Sequence, residues 1–198
     1  MSGFDDGVMV GETKMQANVL FKEAQITERV ASLAQEIAAD YAPRGGLHTV
    51  TVLNGALHFA SQLRFAISKA NLELGFEMTS DTIHLASYHG TGSTGEVKKI
   101  SDLTHPVTGK HVLIVEDIVD TGKTLSVLVA ELLAQKPASL AVVVLLRKPS
   151  KLAVPESDLG EKMYVGFDIG PEFVVGHCFD YDGRFRDVPD IYALTPAI

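Results

Sequence analysis

The sequence predicts an α/β protein built on a doubly wound, mostly parallel sheet, and two observations carry that expectation. Val112-Leu113-Ile114-Val115 and the stretch Leu140 to Leu146 are continuous apolar runs of strand length, the pattern of strands covered on both faces. Between and before them lie helical periods: Leu125, Leu128, Leu132 and Leu133 in one segment, Leu57, Ala60, Leu63 and Ile67 in another. Strands separated by helices imply parallel pairing, and in such sheets ligands bind beyond the carboxyl ends of the strands.

The elements follow in order. The first twenty or so residues place Phe4, Val8, Met9, Val10, Val19, Leu20 and Phe21 in no sustained period and read as an arm or a small hood element. Ile26, Val30, Leu33 and Ile37 then recur at helical spacing, with Thr27 able to cap and Pro43 and Gly45-Gly46 stopping the helix, so the expected span is about 27–41. His48 to Leu53 is β-branched and short and runs through Asn54-Gly55 into the second helix. Residues 76–88 read as a strand with Ile83, Leu85 and Ser87 on one face. After it, 89–95 carries three glycines and no apolar anchor, the composition of a loop that closes over something. Met163–Phe167 and Phe173–Phe179 are expected as short strands. No repeat or long linker divides the chain, so residues 1–198 read as a single domain, with a core of about 26–180 and a hood from the terminal segments.

Charge narrows the function. Against 25 acidic residues stand 17 Lys and Arg, a formal net charge of −8, which lacks the electrostatic footprint of a nonspecific nucleic-acid binder. No apolar run approaches the roughly 20 residues that span a bilayer, and the start carries no basic segment followed by an apolar one. Neither a membrane partner nor a secretory route is therefore expected. Cys178 is the only cysteine, which excludes an internal disulfide and points to a reducing compartment, the cytoplasm by default. The seven histidines lack close ligand spacing. His177 and Cys178 are expected on opposite faces of a strand, with Cys178 a small core residue, not a nucleophile.

The most informative stretch is Val115-Glu116-Asp117-Ile118-Val119-Asp120-Thr121-Gly122-Lys123-Thr124, where a buried strand hands over to a helix. Backbone N–H groups of such a loop and the helix N-terminus converge on one spot and form a phosphate cradle. It is not a P-loop, because the position that requires the first glycine is Asp117. Three carboxylates beside a phosphate would repel it unless they meet sugar hydroxyls or magnesium, so the implied ligand is a phosphorylated sugar. The alternative is a solvated strand end followed by a helix cap at Asp120.

This string resembles the phosphoribosyl-pyrophosphate signature of type I phosphoribosyltransferases. From about Ile26 to Tyr192 the chain is similar to hypoxanthine (guanine) phosphoribosyltransferases, through Val52-Leu53-Asn54-Gly55-Ala56, Ser87-Tyr88, Leu145-Leu146-Arg147-Lys148-Pro149, Phe173-Val174-Val175-Gly176, Asp180-Tyr181 and Phe185-Arg186-Asp187 in the same order. The resemblance implies the type I phosphoribosyltransferase fold, use of Mg²⁺ and transfer of phosphoribose to hypoxanthine or guanine to give IMP or GMP. It also implies assembly as a homodimer or homotetramer.

Position by position, the resemblance assigns Glu116 and Asp117 to the ribose hydroxyls, and the run Asp120, Thr121, Gly122, Lys123 and Thr124 to the 5′-phosphate. Asp120 is also implied as the acid/base group at the purine. Asn54 and Gly55 form the pyrophosphate loop, and Arg186 contacts the pyrophosphate. Lys148 donates to the 6-oxo group, Phe173 stacks on the base, and Val174 and the backbone near Asp180 bond it. Ser87 and Tyr88 begin the closing loop, and Glu116, Asp117 and Asp180 are the implied magnesium contacts. Many relatives have Lys where this chain has Asn54, so one side-chain charge is missing here. Arg186 has a second reading, a surface ion pair with Asp182 or Asp187. Two rival functions remain at this stage: a transferase for xanthine or another base, and a noncatalytic regulator that binds nucleic acid. The acidic charge and the presence of Asp120, Lys148 and Arg186 favour catalysis.

Overall fold

A computed structural model describes residues 8–10, 13–87 and 97–196. Six strands form the main sheet: β3 (Gly46–Leu53), β4 (Glu77–Ser87), β5 (Val97–Ser101), β6 (His111–Val119), β7 (Ser139–Arg147) and β8 (Met163–Asp168). Their order is β5-β4-β3-β6-β7-β8, parallel throughout except for the antiparallel edge strand β5. Helices α1 (Glu23–Tyr41) and α2 (Leu57–Asn71) cover one face, and α3 (Lys123–Ala134) the other.

The continuous apolar runs now have their reason. Leu113 and Val115 of β6 pack with Leu33, Ile37 and Leu63 under α1 and α2, while Val112 and Ile114 pack with Leu128 and Leu132 under α3. Alternate side chains meet opposite helical layers, so every position is apolar. Leu133 departs from its helical expectation, lying 49% exposed on the outer side of α3.

The terminal segments build a second sheet, β1 (Val8–Val10), β2 (Thr13–Phe21), β10 (Ile191–Pro196) and β9 (Phe173–Val175), antiparallel and in the order β1-β2-β10-β9. This is the hood. Phe21 stacks on Phe167 of β8 with ring centroids 4.0 Å apart, and Arg29 of α1 donates to the Gly166 and Val165 carbonyls at 2.9 and 2.6 Å, covering the edge of β8.

Three expectations are corrected. Helix α1 starts at Glu23, and Thr27 lies inside it. The helix end is closed by Asp190, which accepts from the Glu23 N–H at 2.8 Å, and by Gln25 Oε1, which accepts from the Lys22 N–H at 2.9 Å. The strand expected over Phe173–Phe179 stops at Val175, because Gly176, His177 and Cys178 take φ values of 91, 51 and 80° and turn the chain. His177 and Cys178 accordingly belong to that turn and not to two faces of a strand.

Candidate active site

The carboxyl ends of β3, β6 and β7 open into a cleft of about 550 Å³, closed on one side by the hood. Strand β6 ends at Val119, and Asp120-Thr121-Gly122 leads directly into α3, whose N-cap is Gly122 at φ 77°. The 148–159 segment braces this loop. Ala153 N–H donates to the Thr121 carbonyl at 2.9 Å, and a Cβ on Gly122 would stand 2.7 Å from Val154 Cγ2. The first turn of α3 thus begins at a loop braced from behind, with the Lys123 N–H directed to Thr121 Oγ1 at 3.5 Å, and a helix N-terminus of this kind is suited to hold a phosphate. Thr121, Gly122 and Thr124 line the cleft, while Lys123 is exposed outside it.

Glu116 and Asp117 form the cleft floor. Burial and the neighbouring Asp117 charge push the Glu116 carboxyl well above the usual range, and burial also raises Asp117, with its hydrogen bonds and the Arg186 charge opposing. Asp117 Oδ1 accepts from the Ile118 N–H at 2.8 Å. The pair lies against the loop after β3, where the Leu53–Asn54 peptide is cis and a Cβ on Gly55 would overlap the Asp117 carboxylate. Gly55 lines the cleft; Asn54 is exposed and does not.

Across the cleft, Lys148 is 5% exposed and its Nζ lies 2.9 Å from Asp120 Oδ2. The surface-lysine reading of Lys148 fails on that burial. Phe173, half exposed, and Val174 line the same wall, with the Phe173 ring edge-on to Tyr181 at 5.8 Å. Asp180 lines it too, but both its oxygens are engaged: Oδ1 by Arg186 Nη2 at 2.5 Å, Oδ2 by the Gly183 N–H at 2.7 Å. Arg186 thus pairs with Asp180, not with Asp182 or Asp187, and lies outside the cleft lining. Glu116, Asp117 and Asp180, the implied magnesium contacts, all line this cleft, and among the described residues no three His, Cys, Asp or Glu side chains come together in one cluster. Ser87 ends β4; Tyr88 and the 89–95 loop lie outside the described residues.

The profile of the phosphoribosyl transferase domain matches residues 18–181. Over 186 residues the chain is 39% identical to the hypoxanthine-guanine phosphoribosyltransferase of Mycobacterium tuberculosis, covering 91% of this chain and 87% of that one. The chain belongs to the hypoxanthine-guanine phosphoribosyltransferase family. It is also 42% identical over 182 residues to the bifunctional protein TilS/HprT of Listeria innocua, spanning 91% of itself and 26% of that longer protein. Among solved structures, the hypoxanthine phosphoribosyltransferase of Staphylococcus aureus superposes with a TM-score of 0.79 at 36% identity, over 90% of this chain and 91% of that one.

Within this family member, two features escaped the reading of the sequence, one beside the cleft and one in its lining. Lys151 Nζ lies 3.6 Å from the same Asp120 Oδ2 that Lys148 holds. Both lysines bracket the 3₁₀ turn Pro149–Lys151, and three-residue spacing on such a turn brings side chains to one side. That spacing was the available signal. Phe179 lines the cleft, and nothing local to it marks the role, because the turn at Gly176 decides its direction.

Proposed function

We propose that the protein transfers the 5-phosphoribosyl group of phosphoribosyl pyrophosphate to hypoxanthine and guanine, giving IMP and GMP in purine salvage. The observation that carries this reading is the pairing of buried Lys148 with partly exposed Asp120 in the same cleft as Glu116 and Asp117. A purine ring nitrogen forms its bond to C1 as the bond from C1 to the pyrophosphate oxygen breaks, and the electron pair leaves with pyrophosphate. Asp120 receives the ring proton and stabilises positive charge at C1. Glu116 and Asp117 accept from the ribose hydroxyls, while the 120–124 loop holds the 5′-phosphate. Lys148 Nζ offers donors only, so it prefers a 6-oxo group to the amino group of adenine.

The family generally uses magnesium, and the all-oxygen Glu116–Asp117 pair fits a hard cation that takes few carboxylates and completes its shell with substrate oxygens and water. When bound, the ion neutralises charge on the pyrophosphate. The enzyme would work in the cytoplasm, where Cys178 stays a free thiol. A homodimer or homotetramer would cover the exposed Leu57, Phe65 and Leu72 of the α2 region.

Pyrophosphate release measured with hypoxanthine, guanine, xanthine and adenine in parallel tests the reading. Turnover is expected with the first two, weak or absent turnover with adenine; no turnover with any base would end the enzyme assignment, and xanthine as the best substrate would move it to the rival transferase.

The raised Glu116 carboxyl adds a pH dependence. Ribose hydroxyls and a cation both require the ionised form, so affinity for phosphoribosyl pyrophosphate is complete above that raised pKa and falls as pH drops through it, at a higher pH than for an ordinary Glu. Substrate KM measured across about pH 5 to 8 is expected to rise on the acid side, and Glu116→Gln to flatten that limb. An acid limb unchanged in the variant would assign it to another group.

A further inference from the structure

His177 touches none of the groups assigned to the sugar or the base, yet it is 2% exposed, with its backbone N–H and both ring nitrogens engaged. Its backbone N–H donates to the Val188 carbonyl at 2.6 Å, Nδ1 lies 3.1 Å from the Pro189 carbonyl, and Nε2 lies 3.1 Å from Gln62 Oε1 on α2. The ring sits edge-on to His58, in the first turn of α2, at 4.6 Å. That helix begins two residues after Gly55, and the turn that holds His177 continues directly into Phe179 and Asp180 of the cleft wall.

The protons can be assigned. Pro189 offers only an acceptor, so Nδ1 carries hydrogen. Burial holds the ring below its ordinary pKa, against the Pro189 bond, which favours a neutral imidazole. Nε2 then accepts, and the Gln62 carboxamide presents its NH₂ by a half rotation about its terminal bond. The turn itself needs such support, because non-glycine residues at positive φ, here His177 and Cys178, persist only where their surroundings over-determine them.

We propose that His177 is a positioning residue for the purine: through Gln62 it ties the turn carrying Phe179 and Asp180 to α2, and so sets the base side of the cleft against the loop at Gly55. This rests on the placement of the base beside Phe173 and Val174. The experiment uses the full chain and steady-state kinetics with both substrates varied. Gln62→Ala cuts the tie from the helix side. His177→Asn tolerates the left-handed backbone and keeps a donor near the place of Nδ1, but falls short of Gln62. Each is expected to raise KM for hypoxanthine about tenfold while KM for phosphoribosyl pyrophosphate stays within about twofold. The double variant is expected to be no worse than either single one, since both remove the same link. His177→Gln, whose amide reaches the place of Nε2, is expected to recover most of the loss.

Equal rises in both KM values, additive losses in the double variant, or a Gln62→Ala enzyme with wild-type KM for hypoxanthine would overturn the role. Gln62→Ala lies on a helix and keeps the test open should His177 variants fail to fold. Phe173→Ala separates the two levels. If it raises KM for the base while Gln62→Ala does not, the positioning role alone fails; if it leaves KM for the base unchanged, the placement of the base fails and the role falls with it.

Discussion

Asp120→Asn is expected to lower kcat by about 10²–10⁴ while binding of phosphoribosyl pyrophosphate changes little. Asp120 stands where the phosphate loop leaves β6, and its Oδ2 is held by Lys148 at 2.9 Å and approached by Lys151 at 3.6 Å. Asparagine keeps the shape and can still accept from Lys148, but it can neither take the purine proton nor oppose positive charge at C1. The loss should therefore fall on the chemical step. In the proposed mechanism the 5′-phosphate would be held by backbone N–H groups at the start of α3, which the substitution does not touch. Single-turnover measurement of IMP formation, with equilibrium binding of the sugar phosphate in parallel, separates the two. Unchanged turnover would remove Asp120 from the mechanism; equal losses in binding and turnover would make it a ligand and not an acid/base group.

Lys148→Ala is expected to reduce kcat/KM for hypoxanthine by about 10²-fold or more, and to reduce discrimination against adenine. Two effects combine. The 6-oxo group loses its donor, and Asp120 loses the partner that fixes its geometry. Removing one member of a buried pair costs about 3–5 kcal/mol, but Asp120 is 38% exposed, so water recovers part of that and about 2–3 kcal/mol is the better scale. Lys151 is placed to recover a further part. Substrate-specific kinetics with hypoxanthine and adenine, beside binding of phosphoribosyl pyrophosphate, read the result. An equal loss for both bases and for the sugar phosphate would argue that Lys148 serves only the loop.

Much of the architecture was legible because it is written in periods. The β6–α3 unit shows how far that goes: the apolar run at 112–115, the acidic residues after it and the leucines of α3 lie consecutively, so strand, phosphate loop and helix can each be read locally. The hood could not be read in the same way. Strand β2 alternates Met15, Ala17, Val19 and Phe21 with Lys14, Gln16 and Asn18, but its partner is β10, with Phe21 opposite Ile191 and Asn18 opposite Ala193. The alternation is present in the chain, but the partner that makes it a sheet comes from the other end of the sequence, and no local pattern names that partner. Helix α1 shows the same limit at a smaller scale. Its core face was legible, but its start was not, because Asp190 supplies the cap that Thr27 was expected to provide.

The sequence by itself determined the parallel α/β architecture, the strand–loop–helix unit that carries residues 120–124 and the residue types available to the cleft, because each depends on neighbours within about ten positions along the chain. Only the tertiary structure decided which of those residues meet. It joined Lys148 to Asp120, added Lys151, turned Arg186 toward Asp180 and set His177 against Gln62. Ion pairs and hydrogen bonds between distant segments depend on how strands stack and where turns reverse, and that relation in space leaves no local period in the chain.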